Sequence, residues 1–290
     1  MAGYKGSKIN PQRFEKGQIK ILLIIMPLVI FMLFPIIFIF CHAFKPIDEL
    51  FAYPPRFLVT RPTLENFSKL LKSARTSAIP MSRYVFNTIL VTSSVVFSSV
   101  FLSTLAGYAL SKLRFKGKYF LMELNNAALM FVPVAVMIPR YLTVDALGIK
   151  DNYLALILPL ISMPVCLFLI KQFIDQVPDA LIEAAYIDGA TDFKVYRTII
   201  LPLIKPAIAT GAMLAFQTAW GDVSSSIYYV SHEGLRTLPF YMNTLTNANS
   251  SIAGQGIAAA AALIMFIPNL VLFIILQRNV MNTMAHSGIK

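Results

Sequence analysis

Residues 21–44 read ILLIIMPLVIFMLFPIIFIFCHAF, a stretch without any Lys, Arg, Asp or Glu. A helix that crosses a bilayer needs about 20 predominantly apolar residues, so this stretch predicts a transmembrane span. A basic segment precedes it, as in a secretory signal peptide, but no small-x-small cleavage pattern follows it. The stretch is therefore predicted to be a retained first span.

The composition of the whole chain is also strongly apolar. Of its 290 residues, 57% are hydrophobic and 13% are charged, and the mean hydropathy is +0.68. These values exclude an ordinary soluble domain. The net charge of +11 raises the question of nucleic acid, but the basic residues lie in short segments between apolar stretches, which is typical of charge that orients a chain in an anionic bilayer. Cys41 and Cys166 both lie in apolar runs, so packing is predicted for them, without a disulfide or a metal site.

Apolar runs of sufficient length predict an all-α, polytopic membrane protein forming one transmembrane domain, 1–290. The six predicted spans are 21–44, 85–109, 119–143, 153–174, 199–220 and 257–278. Several prolines fall inside them, which is tolerated where neighbouring helices satisfy the freed carbonyls. The pattern therefore predicts a packed bundle.

Lysine and arginine placement predicts the orientation. The N-terminal tail and the 110–118 connection are both rich in basic residues, which places them, and both termini, in the cytoplasm. The segment 45–84 also carries seven basic residues and would lie outside, but long loops follow the rule less strictly. Segments 177–198 and 279–290 are then cytoplasmic, and 221–256 is external.

The cytoplasmic stretch 177–197 reads VPDALIEAAYIDGATDFKVYR. Pro178 suits the first turn of a helix, and Gly189 suits the left-handed residue that closes one. Thr191 or Asp192 can cap a second helix that leads into the fifth span. The prediction is a helix over 178–187, a sharp turn and a second helix.

Leu181, Ala184 and Ala185 are spaced to share one face of the first helix, with Glu183 beside them. Periodicity alone leaves two interpretations open, an amphipathic helix on the membrane surface and a docking surface for a partner protein. Glu183-Ala184-Ala185, then three residues, Gly189, then nine residues, Ile199, one residue and Leu201-Pro202 resemble the EAA motif of membrane subunits from binding-protein-dependent ABC importers. The six-span layout also resembles the smaller membrane subunit of the maltose/maltodextrin importer. This resemblance favours docking.

The resemblance implies a type I ABC importer permease in a bacterial cytoplasmic membrane, importing oligosaccharides. Its implied partners are a second, different membrane subunit, a dimer of ATPase subunits that bind ATP and Mg, and an extracytoplasmic sugar-binding protein. It implies contact with the ATPase for Leu181, Glu183, Ala184, Ala185, Asp188, Gly189, Leu201 and Pro202. It also implies that the tail residues Gly288, Ile289 and Lys290 enter the interface between the ATPase subunits.

Several functions are not indicated by the sequence. No Gly-x-x-x-x-Gly-Lys-[Ser/Thr] phosphate loop is present, so this chain is predicted to be a transporter subunit that binds no cofactor, with ATP hydrolysis in a partner. The three histidines are scattered, and neither a metal site nor catalytic residues are predicted. An ion-coupled secondary transporter, a non-transporting scaffold and a permease for glycerol-3-phosphate remain alternatives.

The predicted substrate path runs along the later spans. Aromatic faces stack on sugar rings, and carboxylates and amides bond to hydroxyls. Trp220 is also consistent with an interfacial aromatic belt. The residues predicted for the path are Gln217, Trp220, Asp222, Tyr228, Tyr229 and Asn269.

Overall fold

A computed structural model describes residues 16–76, 79–248 and 254–287. The described residues form helices and turns without any strand, which confirms the all-α prediction. The helices are α1 (Lys16–Phe44), α2 (Ile47–Leu50), α3 (Glu65–Thr76), α4 (Met81–Lys112), α5 (Lys118–Met130), α6 (Met137–Ala146), α7 (Tyr153–Ile161), α8 (Pro164–Asp175), α9 (Asp179–Ile187), α10 (Asp192–Val195), α11 (Leu201–Leu203), α12 (Lys205–Trp220), α13 (Ser224–Tyr228), α14 (Leu238–Ala248) and α15 (Gln255–Ser287).

Three helices in the described part are single pieces long and apolar enough to cross a membrane. They are α1 from Ile19, α4, and α15 as far as Gln277, which correspond to the predicted first, second and sixth spans. α1 contains Pro27 and Pro35, and its apolar side chains are largely exposed within this chain. Lipid or another subunit is the environment that such a surface requires.

The predicted fourth and fifth spans are bent helix pairs. α7 and α8 meet at 43°, where Met163 precedes Pro164 and is therefore disfavoured from the helical conformation. The helical segment 192–203 meets α12 at 81°. Pro206 has no N–H to continue the helical ladder there, so the predicted span 199–220 is corrected: residues 199–203 belong to the preceding helical segment, and the straight part begins at Lys205.

The predicted third span, 119–143, is divided into two helices. α5 ends at Met130 and α6 begins at Met137, with Pro133 in the turn between them. Proline removes a backbone donor and restricts the residue before it. The segment 119–143 is therefore helical in two halves with a break at 131–136, and its role as one membrane span stays a prediction.

The described residues form two compact units, and the first contains 16–70 and 254–263. Its loop between α2 and α3 is fastened by buried polar groups. Glu49 accepts hydrogen bonds from the backbone N–H groups of Thr60 and Arg61. The Asn66 amide donates to the carbonyl of Lys45 at 2.8 Å. Because Glu49 and Asn66 are buried and satisfied by the backbone around them, these bonds favour a defined conformation of the loop.

The second unit contains 71–248 and 264–287, and α4 is its central helix. α4 packs against α7, α8 and α12. Small polar side chains allow these close approaches: Ser99 is buried and donates to the carbonyl of Ile161 at 3.0 Å. Gly211 on α12 is equally close to α8, since a Cβ there would lie 2.8 Å from the sulfur of Cys166. Both cysteines are buried and free.

Two predicted cytoplasmic segments lie partly beyond the described chain. α15 continues to Ser287, so the predicted tail 279–290 is helical as far as that residue. The tail residues Gly288, Ile289 and Lys290 lie outside the described residues, as do the N-terminal basic residues Lys5, Lys8 and Arg13.

Candidate functional site

The first arm of the helix–turn–helix at 179–203 is α9, and a tight turn closes it. Gly189 has φ +76°, the left-handed conformation that glycine adopts without a Cβ penalty. Its N–H donates to Tyr186 O at 3.0 Å, and the Ala190 N–H donates to Ala185 O at 2.9 Å. These two bonds form a Schellman motif. The structure therefore agrees with the predicted helix and glycine turn.

The second arm begins immediately after this turn. The Thr191 side chain caps α10 by accepting a hydrogen bond from the Lys194 N–H at 3.4 Å. Residues 196–200 then form one π-helical turn, in which the Leu201 N–H donates to Tyr196 O. Pro202 follows and has no N–H to donate, which accounts for the widened turn. Leu201 and Pro202 thus lie between the π-helical turn and the bend that precedes α12.

The exposed face of α9 differs from the predicted one. Ile182 is buried, and Ala185 packs against the same core cluster, which includes Val195 and Tyr196. Glu183 and Ala184 are exposed, as is Asp188, and Leu181 is about half exposed. Beyond them, Ile187 is 86% exposed and Phe193 is 64% exposed. Ala184 with Ile187 therefore faces outward, and Ala185 does not share that face.

An ion pair fastens the start of α9 to the end of α4. The Lys112 ammonium lies 2.7 Å from a carboxylate oxygen of Asp179 and 2.7 Å from the carbonyl of Val177. The hydrogen bond from Lys112 lowers the pKa of the Asp179 carboxyl below its ordinary value. Asp179 also lies in the first turn of α9, where a negative charge interacts favourably with the positive end of the helix dipole.

Two tyrosines connect the arms with each other and with α4. The Tyr186 hydroxyl donates to Asp192 at 2.6 Å, and this bond raises the pKa of Tyr186. The Tyr196 hydroxyl lies 2.8 Å from the Thr104 hydroxyl of α4. Its ring packs between Phe193 and Tyr108, with centroid distances of 6.1 and 5.6 Å. The exposed segment is thus joined to the interior of the bundle.

Sequence reasoning missed these connecting residues. In the sequence, Lys112 is one of the basic residues of the 110–118 connection that indicate orientation, and no pattern assigns a role to Thr104, Tyr186 or Tyr196. The spacing of Tyr186 and Asp192 across a predicted turn is a local signal for the first bond. The Thr104 pairing joins distant parts of the sequence, so no local pattern indicates it.

The structure distributes the predicted substrate-path residues between buried and exposed positions. Trp220 is buried and donates from its indole nitrogen to Met265 O at 3.1 Å. Tyr229 is also buried, and its ring stacks with Tyr141 at 6.4 Å. Trp220 also lines a cavity of about 590 Å³ between α4 and α12. The assignment of Trp220 and Tyr229 to the substrate path stays a prediction.

The other residues predicted for the path differ in burial and in hydrogen bonding. Asp222 accepts from the Ser225 N–H at 3.2 Å, at the start of α13, and burial raises the pKa of its carboxyl. Gln217 and Tyr228 are exposed. The Asn269 amide donates to Met265 O at 3.4 Å, while its Oδ1 has no hydrogen-bond partner within the described residues. Gln217, Tyr228 and Asn269 therefore retain free polar groups.

No group of three or more His, Cys, Asp or Glu side chains suited to a metal ion occurs among the described residues. The helix–turn–helix at 179–203 presents an exposed carboxylate, a small-residue surface and two exposed apolar side chains. These groups suit recognition of a partner protein.

Comparison with known proteins shows which family the chain resembles. Residues 19–281 match the family model described as binding-protein-dependent transport system inner membrane component. A probable ABC transporter permease protein of Bacillus subtilis, YurM, is 30% identical over 259 residues, 89% of this chain and 83% of that protein. The trehalose/maltose transport system permease protein MalG of Thermococcus litoralis is 29% identical over 275 residues, 93% of this chain and 97% of that protein.

The fold also has a counterpart among solved structures. A chain in the crystal structure of a bacterial ABC transporter involved in import of the acidic polysaccharide alginate matches with a TM-score of 0.77. The match covers 92% of this chain and 98% of that chain, at 20% identity. At this identity the likeness shows the fold alone.

Proposed function

This chain belongs to the family of inner membrane components of binding-protein-dependent transport systems, and from that premise we propose that it is the permease subunit of an ABC importer for oligosaccharides. The observation that carries the proposal is the family match over 19–281, together with the exposed helix–turn–helix at 179–203. ATP hydrolysis, with its ATP and Mg, resides in a partner chain.

Support for a sugar substrate comes from the relatives. The Thermococcus litoralis protein is named as part of a trehalose/maltose system. The exposed Gln217 and Tyr228, with Asn269, supply amide and phenol groups suited to sugar hydroxyls. In this proposal they line the path, while Trp220, Asp222 and Tyr229 shape it from behind.

The cytoplasmic segment is the proposed docking site for the ATPase subunit. Glu183 supplies a charge for a basic or amide group, Ala184 permits close approach, and Ile187 and Phe193 supply apolar contact. Asp188 and Leu181 border this surface, and Gly189, Leu201 and Pro202 fix the turns on either side. In this arrangement both termini are cytoplasmic, and Gly288, Ile289 and Lys290 enter the interface between the ATPase subunits.

The remaining partners are a second, different membrane subunit and an extracytoplasmic binding protein. The exposed apolar surface of α1 suits either lipid or that second subunit. On the outer side, α14 is held to α4 by a stacked pair, Tyr84 and Tyr241, at 4.7 Å. Its exposed Asn243, Thr244 and Asn247 offer polar contacts for the binding protein.

Reconstitution in proteoliposomes tests the proposal. The chain with an ATPase subunit, a second membrane subunit and a binding protein should take up labelled oligosaccharide and hydrolyse ATP in response to it. The purified chain alone should hydrolyse none. ATP hydrolysis by the chain alone, uptake driven by an ion gradient without ATP, or preference for glycerol-3-phosphate would each contradict a stated part of the proposal.

A further inference from the structure

Two cavities adjoin at the end of α4, next to the coupling helix α9. The first has a volume of about 620 Å³, and its apolar wall includes Leu110, Phe115, Tyr119 and Met122. The second has a volume of about 370 Å³ and is lined mainly by charged and polar groups. Ser111 and Lys118 line both cavities. An apolar compartment and a charged compartment thus share one wall.

Lys118 stands at the boundary between the two cavities. Its ammonium donates to the carbonyls of Ser111 at 2.9 Å and Leu113 at 3.2 Å. An ammonium has three N–H donors, so one donor remains for a ligand. The two backbone bonds fix the position of the charge, which is therefore presented to the cavities in a defined place.

The charges around the two cavities leave an unpaired positive group. Lys112 is paired with Asp179, and Lys171 is paired with Asp175 at 2.7 Å. Arg114 lines the charged cavity and its charge contributes to the lowered pKa of Asp179, but it makes no ion pair or hydrogen bond within the described residues. Arg114 and Lys118 are thus the basic groups available to an anion.

The remaining carboxylate in the charged cavity is Glu183. Its negative charge opposes an anion beside it. Three basic side chains, Lys112, Arg114 and Lys118, line this cavity against two carboxylates, Asp179 and Glu183, so the net charge of its lining stays positive. The local balance then favours a negatively charged ligand between Arg114 and Lys118.

We propose that these cavities bind one anionic phospholipid of the cytoplasmic leaflet. Arg114 and Lys118 hold the phosphate, and the apolar cavity holds part of an acyl chain. Basic pockets at the cytoplasmic ends of membrane helices suit such headgroups, and a guanidinium matches phosphate oxygens in pairs. The apolar cavity beside the charged one favours a lipid over a free phosphate ion, because a phosphate ion has no apolar part to occupy the apolar cavity.

The proposed lipid would lie next to α9. α9 contributes Ile182, Glu183 and Tyr186 to the wall of the charged cavity, so a headgroup there lies beside the coupling helix. A bound lipid would therefore contact the helix that is proposed to dock the ATPase subunit. The inference rests on the proposed cytoplasmic placement of this segment.

Lipid retention measured by native mass spectrometry tests the site. The full-length chain, with any co-purifying subunits, is held in neutral detergent and titrated with phosphatidylglycerol or phosphatidylcholine. We expect selective retention of one phosphatidylglycerol. Arg114→Gln should weaken it about fivefold, since a basic group near a lipid surface contributes about 1 kcal/mol.

Lys116→Gln is the matched control, because Lys116 lies in the same turn, carries the same charge and lines neither cavity. It should leave retention unchanged. Met122→Trp, which fills the apolar cavity, should reduce retention of phosphatidylglycerol. Equal effects of Arg114→Gln and Lys116→Gln, or equal retention of both lipids, would overturn the proposal.

Two further measurements separate other ligands and the proposed function. Soluble inorganic phosphate that competes fully with the lipid, with Met122→Trp having no effect, would assign the site to a free anion. Loss of ATPase-subunit binding in Arg114→Gln without any change in lipid retention would assign Arg114 to the protein interface. The lipid measurement requires no ATPase activity, so its failure is distinguishable from failure of the transport proposal.

Discussion

The N–H of Ala190 donates to the carbonyl of Ala185 at 2.9 Å across a turn whose centre is Gly189 at φ +76°. A Cβ added at Gly189 would meet no atom within 4 Å. The requirement for glycine is therefore set by the backbone conformation and not by crowding. This distinction gives a graded prediction for substitutions at Gly189.

Gly189→Val should cost roughly 1–2 kcal/mol or more in the left-handed conformation and misplace the exposed face of α9. The expected result is normal membrane insertion with loss of the co-purifying ATPase subunit. Gly189→Asn is the matched control, because asparagine tolerates this conformation, and it should retain most of the binding. Equal binding by Val and Asn variants in a pull-down would refute the backbone argument.

The coupling segment, the proposed docking segment 177–203, illustrates how much the sequence could predict. Its helix, glycine turn and Thr191 cap follow from local chemistry, because Pro178, Gly189 and Thr191 act on their immediate neighbours. Which side of the helix faces outward depends on the core formed with Val195 and Tyr196, which the spacing of Leu181, Ala184 and Ala185 does not specify.

Prediction of the membrane spans from local sequence patterns is limited in the same way. Hydropathy located the long helices α1, α4 and α15, since each is apolar over its own length. It did not locate the breaks at Pro133 and Ile204, because prolines inside α1 and α15 are accommodated while those near the breaks are not. Tertiary packing decides between these outcomes, and likewise buries Trp220 and Tyr229.

The two alanines of the motif should respond differently to a charge. Ala185 packs against the core, so Ala185→Asp places a carboxylate in an apolar setting and should lower the melting temperature of the detergent-solubilised chain. Ala184 is exposed, so Ala184→Asp should leave the melting temperature unchanged and still reduce ATPase binding. Glu183→Ala should reduce binding less than either. Identical melting and binding for the two aspartate variants would show that the alanines share one face.

The contact between Gly211 and Cys166 predicts a rescue. A Cβ at residue 211 would lie 2.8 Å from the Cys166 sulfur, so Gly211→Ala should destabilise the chain by about 1–3 kcal/mol. Adding Cys166→Ala removes that sulfur and should restore most of the loss. Gly234→Ala is a control, since its nearest neighbour lies at 3.9 Å. Thermal unfolding monitored by size-exclusion chromatography compares the native chain with these three variants, and failure of Cys166→Ala to rescue would contradict the packing argument.

The ion pair between Lys112 and Asp179 predicts a pH dependence. The pKa of Asp179 is lowered from its ordinary value of 3.8, so its contribution to stability is complete above that value and is lost as the pH falls through the lowered pKa. The difference in thermal stability between the native chain and Asp179→Asn should therefore be constant from neutral pH down to about 5 and shrink below about 4. Asp188→Asn, which removes an exposed carboxylate of the same segment, is the control. A difference that grows on acidification would have the wrong sign.

The bond between Tyr196 and Thr104 predicts that transport and ATP hydrolysis separate when it is broken. Both residues are buried, and their hydroxyls lie 2.8 Å apart, so the bond joins the coupling segment to α4. Tyr196→Phe and Thr104→Val should each cost about 1 kcal/mol, and the double variant should cost little more than either, giving a coupling energy of about 0.5–1 kcal/mol. In proteoliposomes with the partner subunits, each variant should bind the ATPase normally but import less sugar per ATP hydrolysed. Tyr53→Phe serves as the control, because Tyr53 is 96% exposed and should change neither quantity. Additive destabilisation in the double variant, or an unchanged ratio of uptake to hydrolysis, would show that this hydrogen bond does not transmit movement from the coupling segment to the bundle.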